Sequence, residues 1–471
     1  MPIINYGGKS MRKLSRGTLI FLIFLNGYVS LSLELAVLRQ LSFYVGSSAV
    51  ITSIIMAIFL GFMSLGYFMG ETQKVQDNKI RPILNTSFLI IAALSVCAAS
   101  FPLITEYFLL MYIGGITSGA IQTFIYSLIF LSTGPFLFGL NTTLLSRQLH
   151  SYNKNCTGNI MALDTIGSVF GSMATTLLLM PFLGVNYTVV LITVLSVVGA
   201  LILRRRWWVW IICTTILALS LYINSDTYQR KKMGILVNNA NSTISVSEYQ
   251  DATRILYMNG LPMSIYNKNN GDVAEYVKYL NENFIYTMPA DKKHNVLVLG
   301  AGGFTLGIND TRNEYTFVDI EHTLKNVSED YFLGQKLTPN KKFIVADASQ
   351  FLKNTDIQYD FILLDVYSNS YQVPEGLITA EFMERLKSRI APNGIIAMNM
   401  IVNPNFYDKY SRVFDNTFNA VFPHNTTRQV IGYFNPWTQE NDPSNVVYIY
   451  YNTENDGRIY TINKTPVIYD R

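Results

Sequence analysis

A chain of 471 residues with 36 Lys and Arg against 32 Asp and Glu carries a net charge of only +4, and 49% of its side chains are hydrophobic. The surplus cations flank apolar runs instead of covering one face, so nucleic acid is excluded as a partner, while the length accommodates two or three domains of roughly 100 to 200 residues. Three cysteines, two of them (Cys97 and Cys213) inside apolar runs, and four scattered histidines offer neither a disulfide framework nor metal-ligand spacing, so no metal is expected.

Apolar segments at 17–35, 48–70, 84–112, 116–138, 158–182, 187–203 and 207–223 approach or exceed the roughly 20 residues a helix needs to cross about 30 Å of hydrocarbon. They predict a multi-pass α-helical membrane domain of about seven spans over residues 1–225. Between Leu41 and Ala200 the only charged side chains are Glu71, Lys74, Asp77, Lys79, Arg81, Glu106, Arg147, Lys154 and Asp164. Phe101-Pro102 divides the third segment and Gly134-Pro135 kinks the fourth. Lys9, Arg12, Lys13 and Arg16 imitate a signal-peptide start, but further spans follow at once and no small-x-small site stands out. Basic residues at the N-terminus, at 74–81, at 147–154 and at Arg204-Arg205-Arg206 set the N-terminus inside, and seven spans then send the following domain outside. Arg230, Lys231 and Lys232 favour the inside, so charge leaves the face of that domain open.

Glu34 and Arg39 at the end of the first span, and Asp164 within the fifth, are ionisable groups at membrane depth. They form either a structural polar network or a pocket for an amine or a lipid headgroup. Gly167 and Gly171, four apart, predict close helix contact.

Residues 226–290 read as a linker and a small β-hairpin region, with alternating segments STISVSEY (242–249) and RILYMNG (254–260) and a helix near 272–287. Residues 291–471 then alternate strand and helix. NVLVLG (295–300), YTFVDI (315–320), KFIVAD (342–347), FILLDV (361–366) and GIIAMN (394–399) are separated by helical stretches near 322–333, 348–354 and 379–390. Continuously apolar strands separated by helices predict an α/β Rossmann-like domain with a mostly parallel sheet buried on both faces. A helix near 405–420 and strands VIGYF (430–434) and VVYIYY (446–451) complete a methyltransferase-type seven-stranded sheet.

Ligands of such sheets bind at the carboxyl ends of the strands, near the point where strand order reverses. Gly300, Gly302 and Gly303 follow the first strand, where a backbone without side chains either approaches a ligand or makes a bare tight turn. An acid closes each of the next three strands: Asp319, placed to bind ribose hydroxyls, Asp347, within reach of an adenine amino group, and Asp365, where a reacting centre belongs. Any one of them alone is as readily a helix N-cap or a turn former. Together with the glycines they point to an adenosyl-nucleoside site. The absence of G-K-[ST] disfavours a P-loop, and the missing third glycine disfavours NAD.

With LYMNG, GDVAEYVKYL, VLVLGAGGFTL, FVDIE, ADASQFL and YDFILLDVYSNSYQVPEGLITAEFMERLKSRIAPNGIIAMN, the chain resembles the spermidine/spermine synthase family. SLELAVLRQL and MALDTIGSVFGSMATTLLLMPFLG resemble the membrane part of its multi-pass members. The resemblance implies a polyamine aminopropyltransferase, in which decarboxylated S-adenosylmethionine donates a three-carbon amine to an amine or polyamine acceptor. It implies Asp365 as the base, Asp319 on the ribose, Asp347 with Ala348 on the adenine, and Gly300, Gly302 and Gly303 along the donor. It further implies Asp272 and Tyr276 on the acceptor side, with Tyr367 touching either substrate. The lipid bilayer is an implied partner, and the soluble relatives' dimers and tetramers raise a homo-oligomer.

The departures from the family pattern matter as much. Soluble spermidine synthases carry an aspartate where this chain has Gly303 and another at Ser368, a glutamine at Met263, and glutamates at Val273 and Lys278. A diamine needs such carboxylates, because an unpaired buried ammonium is costly. The donor site is thus expected to persist while putrescine is disfavoured, and Lys278 in the wall would repel it. Two other functions stand beside aminopropyl transfer: an S-adenosylmethionine-dependent methyltransferase, which Gly303 permits, and a non-catalytic membrane protein that keeps the nucleoside-binding fold. A cell inner or plasma membrane location is expected, and the cytoplasmic supply of adenosyl-sulfonium donors favours that face for the soluble domain.

Overall fold

The computed structural model describes residues 14–46, 48–72, 75–152, 157–367, 373–431 and 443–454. The chain divides into two compact units, 1–245 with 258–260, and 246–257 with 261–471, and each is taken by itself.

The first unit is helical. Among the described residues, four helices are long and apolar enough to cross a membrane: Arg16–Val45, Ala49–Thr72, Asp77–Ala99 and Gly158–Leu203. The count rises to six if each of two bent pairs, Gly119–Leu131 with Thr133–His150 and Trp207–Ile223 with Asp226–Met233, is one span. The difference from seven expected spans has a local cause. The fifth and sixth expected segments run on as one helix of 46 residues, broken only at Gly184, whose φ of 78° and ψ of 165° are not helical. At 1.5 Å per residue, that length of about 69 Å is twice a 30 Å hydrocarbon core. The 84–112 segment breaks at Ser100, so that Phe101–Ile113 is a separate short helix.

Small residues set the helix contacts. A Cβ on Gly27 would strike the Asp164 backbone, one on Gly167 the Phe24 backbone and one on Gly171 the Tyr28 backbone, so Arg16–Val45 and Thr157–Ala174 touch main chain to main chain. Asp164 joins a polar network there. Thr142 Oγ1 lies 3.3 Å from Asp164 Oδ1, and Asn26 Nδ2 donates to Thr142 Oγ1 at 3.0 Å and to the Phe138 carbonyl at 3.1 Å. Arg39 donates to the carbonyls of Asn239 and Ala240 at 2.8 and 3.0 Å, while Glu34 is 5% exposed.

Four strands, β1 (Ile235–Asn238), β2 (Thr243–Glu248), β3 (Thr253–Met258) and β4 (Leu261–Asn267), form a small sheet in the order β1-β2-β3-β4. Asn259 (φ 50°) and Gly260 (φ 80°) make the two-residue turn between β3 and β4, since both central positions of that turn need positive φ. The expected 272–287 helix runs over Glu275–Leu280 and on through Asn281–Ile285.

The large sheet contains β5 (Asn295–Leu299), β6 (Glu314–Asp319), β7 (Lys341–Val345), β8 (Tyr359–Leu364), β9 (Ile390–Val402), β10 (Thr426–Ile431) and β11 (Ser444–Tyr451). Its order is β10-β11-β9-β8-β5-β6-β7. The neighbours from β9 to β7 are parallel, and β11 is antiparallel to both β9 and β10. This is the doubly wound, methyltransferase-type arrangement, with the reversal of strand order between β5 and β8. Val296, Leu297, Val298 and Leu299 are all buried because each face of β5 is covered, which is why the strand reads as an unbroken apolar run. Ala348–Asn354, Ala380–Ser388 and Lys409–Val421 start on N-caps Asp347, Thr379 and Asp408, whose side chains accept from the backbone N–H three residues on. Phe382, Met383, Leu386, Phe414 and Phe418 on the last two of these helices belong to one core cluster with Leu297, Leu299, Ile362 and Leu364 of the sheet.

Candidate functional site

Strand register builds the site. Leu299 pairs with Leu364 across β5 and β8, and Leu364 pairs with Met398 across β8 and β9. One residue further on, Gly300, Asp365 and Asn399 therefore come abreast, the first two just past the carboxyl ends of β5 and β8 and Asn399 within β9, at the switch point. The Asp365 N–H still donates to the Leu299 carbonyl at 2.8 Å, which fixes the row.

The Asp365 carboxylate is held from two sides. Tyr276 Oη donates to Oδ2 at 2.6 Å and Asn399 Nδ2 donates to Oδ1 at 2.9 Å. Burial pushes the Asp365 carboxyl up from the ordinary carboxylate range, against the downward pull of those two bonds. Burial, and then the facing Asp365, hold the Tyr276 hydroxyl well above its usual value, so it stays protonated and donates. Tyr367 Oη donates to the Asn399 backbone carbonyl at 2.7 Å, which ties Tyr367 to β9. Tyr276, Asp365, Tyr367 and Asn399 line one cavity of about 430 Å³, together with Gly302, Met263, Ser264 and Glu275. That volume lies within the usual range for small-molecule pockets.

The three glycines do three different things. Gly300, at φ 91°, has the Asp365 carbonyl oxygen where its Cβ would stand, so its lack of a side chain serves the close approach of β5 and β8. Gly302 lines the cavity. The Gly303 N–H donates to Ser264 Oγ at 2.8 Å, and the buried ring of Phe332 fills the place of its missing side chain. An aspartate at position 303 has no room unless that ring moves.

Asp319, at the end of β6, accepts from the Ala301 N–H on Oδ2 and from the Glu321 N–H on Oδ1, each at 3.0 Å. Each oxygen keeps a lone pair for a further donor. Burial raises the Asp319 carboxyl above its ordinary value, against those backbone bonds. Asp347 is exposed and caps the Ala348–Asn354 helix through the Gln350 N–H at 2.9 Å, and Ala348 is buried behind it. Neither Asp319 nor Asp347 lines the cavity around Asp365.

Asp272 is not brought to that cavity. Its carboxylate is exposed and held by Asn270 Nδ2 at 2.7 Å and Lys278 Nζ at 3.3 Å, so the wall expected to contain Lys278 does not contain it. Val273 bridges to Tyr266 instead. Ser368 lies outside the described residues. Asn399, Glu275 and Ser264 escaped the sequence reading. Asn399 had a partial signal, as a polar residue closing the apolar run Ile395–Met398, whereas Ser264 and Glu275 had none beyond their neighbours.

Residues 283–432 match the spermine/spermidine synthase domain. Over that stretch, about a third of its length, the chain is similar to that family. Among characterised relatives it is similar to the polyamine aminopropyltransferase of Vibrio vulnificus, 26% identical over 171 residues, which cover 34% of this chain and 56% of that protein. It is also similar to polyamine aminopropyltransferase 1 of Streptomyces coelicolor, 22% identical over 413 residues, 81% of this chain and 75% of that one. The chain thus spans little more than half of the Vibrio protein. A crystal structure of spermidine synthase from Thermotoga maritima aligns with 45% of this chain and 70% of its own at 15% identity and a TM-score of 0.36. The match begins twelve residues before β5 and takes in Asp319, Asp347, Asp365 and Asn399.

Proposed function

We propose that this chain is a membrane-embedded aminopropyltransferase that moves the three-carbon amine of decarboxylated S-adenosylmethionine onto an amine acceptor. The observation that carries the reading is the half-buried Asp365 carboxylate, hydrogen-bonded by Tyr276 and Asn399 at the rim of the glycine turn and open to a cavity. An acceptor ammonium gives a proton to Asp365 and so frees its lone pair. The nitrogen then forms a bond to the aminopropyl carbon as the C–S bond breaks, and sulfur keeps the electron pair in methylthioadenosine. General-base help of this kind is worth about 10²- to 10⁴-fold in rate.

In this reading Asp319 takes the ribose hydroxyls on the lone pairs its backbone bonds leave free, while Asp347 and Ala348 take the adenine. Gly302, Tyr276 and Tyr367 face the reacting groups. The synthase domain lies on the cytoplasmic side, where the donor is made, and the apolar helices hold it at the membrane. Phe332 in the place of a carboxylate at position 303 favours a second reading, methyl transfer from S-adenosylmethionine, because nothing there neutralises the donor's primary ammonium. One assay separates the two: full-length protein in detergent, given each donor with a panel of amines, releases methylthioadenosine for aminopropyl transfer and S-adenosylhomocysteine for methyl transfer.

A further inference from the structure

The cavity that holds Asp365 has a wall of aliphatic side chains with surface to spare. Leu261, Met263 and Ile265 recur at every second residue of β4, and Ile255 of β3, Ile401 of β9 and Ile431 of β10 join them. None of the six is fully buried, and Ile265 is 37% exposed, although aliphatic groups of this size normally bury themselves. Among the described lining residues only two are acidic: Asp365, pinned between Tyr276 and Asn399, and Glu275, which is exposed to solvent. Lys278 and Asp272 pair with each other outside.

These placements give the cavity one half-buried, firmly held anion and an apolar wall. An ammonium set against such a wall loses its hydration with no partner to replace it, and a solvent-exposed carboxylate such as Glu275 attracts it only weakly through water. A hydrocarbon chain or ring set there loses nothing and removes the Ile255, Ile265 and Ile401 surface from water. Building on the aminopropyl-transfer reading above, we propose that the acceptor is a primary monoamine with an apolar body, its nitrogen at Asp365 and its hydrocarbon on the aliphatic wall, in preference to an α,ω-diamine.

The test is methylthioadenosine release by the full-length protein at fixed detergent, with decarboxylated S-adenosylmethionine and water-soluble acceptors: n-propylamine through n-hexylamine, benzylamine and 1,4-diaminobutane. The proposal predicts that kcat/KM climbs about fourfold per added methylene, the factor that burying one CH₂ brings, and that n-butylamine exceeds 1,4-diaminobutane by at least about tenfold. Ile265→Glu should reverse the order by lowering n-hexylamine and raising the diamine, and a thermal melt close to wild type shows that the variant is folded. Turnover in which the diamine equals or exceeds n-butylamine, or a flat alkylamine series, overturns the monoamine assignment and leaves the aminopropyl reading standing. No methylthioadenosine from any amine overturns both.

Discussion

Replacing Tyr276 with Phe removes one hydroxyl and the 2.6 Å bond it donates to Asp365 Oδ2, while the ring stays. That bond favours the charged carboxylate, so its loss must raise the Asp365 pKa further above the already elevated value that burial gives it. A hydrogen bond to a charged group is worth about 1.5–3 kcal/mol, and one pKa unit is about 1.4 kcal/mol, so the shift is about one to two units. A base works only when unprotonated, so activity falls as pH drops below the Asp365 pKa. In wild type this acid limb of kcat/KM lies above the ordinary carboxylate value of about 3.9, and in Tyr276→Phe it moves up by about one to two pH units. At a pH on the limb the variant is about ten- to a hundredfold slower, and the loss shrinks as pH rises. Rate profiles from pH 5 to 9 for both proteins decide the matter. An acid limb that stays in place while activity falls equally at every pH refutes the assignment of Asp365 as a base held by Tyr276.

Other changes follow from the same contacts. Gly303→Asp must displace the buried Phe332 ring, so it should destabilise the protein by about 1–3 kcal/mol of overpacking, seen as a lower melting temperature, and should not tighten donor binding. Asp319→Ala should abolish calorimetric binding of methylthioadenosine, because it removes the carboxylate that the glycine turn holds through the Ala301 N–H, and unchanged binding would remove Asp319 from the site. Asp272→Ala loses only exposed contacts, with Lys278 and Asn270, so kcat/KM should change by less than about threefold. A cysteine placed at Lys342 should react with an impermeant maleimide in inverted vesicles and not in intact cells, and the opposite pattern would put the synthase domain outside.

Much of the fold was legible because the physics is local. Strands such as 295–299 read as strands since both faces are buried, and Asp319, Asp347 and Asp365 mark strand ends because an acid rarely continues such a run. Strand register is not local. That Asn399 stands beside Asp365 depends on the pairing of Leu364 with Met398, two positions 34 residues apart in sequence. The part played by Gly303 depends on Phe332, which reaches it only through tertiary packing, so a residue pattern reads the position as a missing aspartate when the space is already filled. Lys278 and Asp272 lie in a stretch whose residue pattern resembles an acceptor segment, yet the two satisfy each other at the surface. In the helical half, hydropathy finds apolar length but cannot tell that 158–203 bends only at Gly184.

The most direct test compares wild type with Asp365→Asn in the full-length protein, following methylthioadenosine release from decarboxylated S-adenosylmethionine with amine present, and donor affinity by calorimetry. The account predicts turnover in wild type, a loss of about 10²- to 10⁴-fold in Asp365→Asn, and donor binding kept in both. Equal turnover in the two proteins, or donor binding with no methylthioadenosine from either, would contradict it.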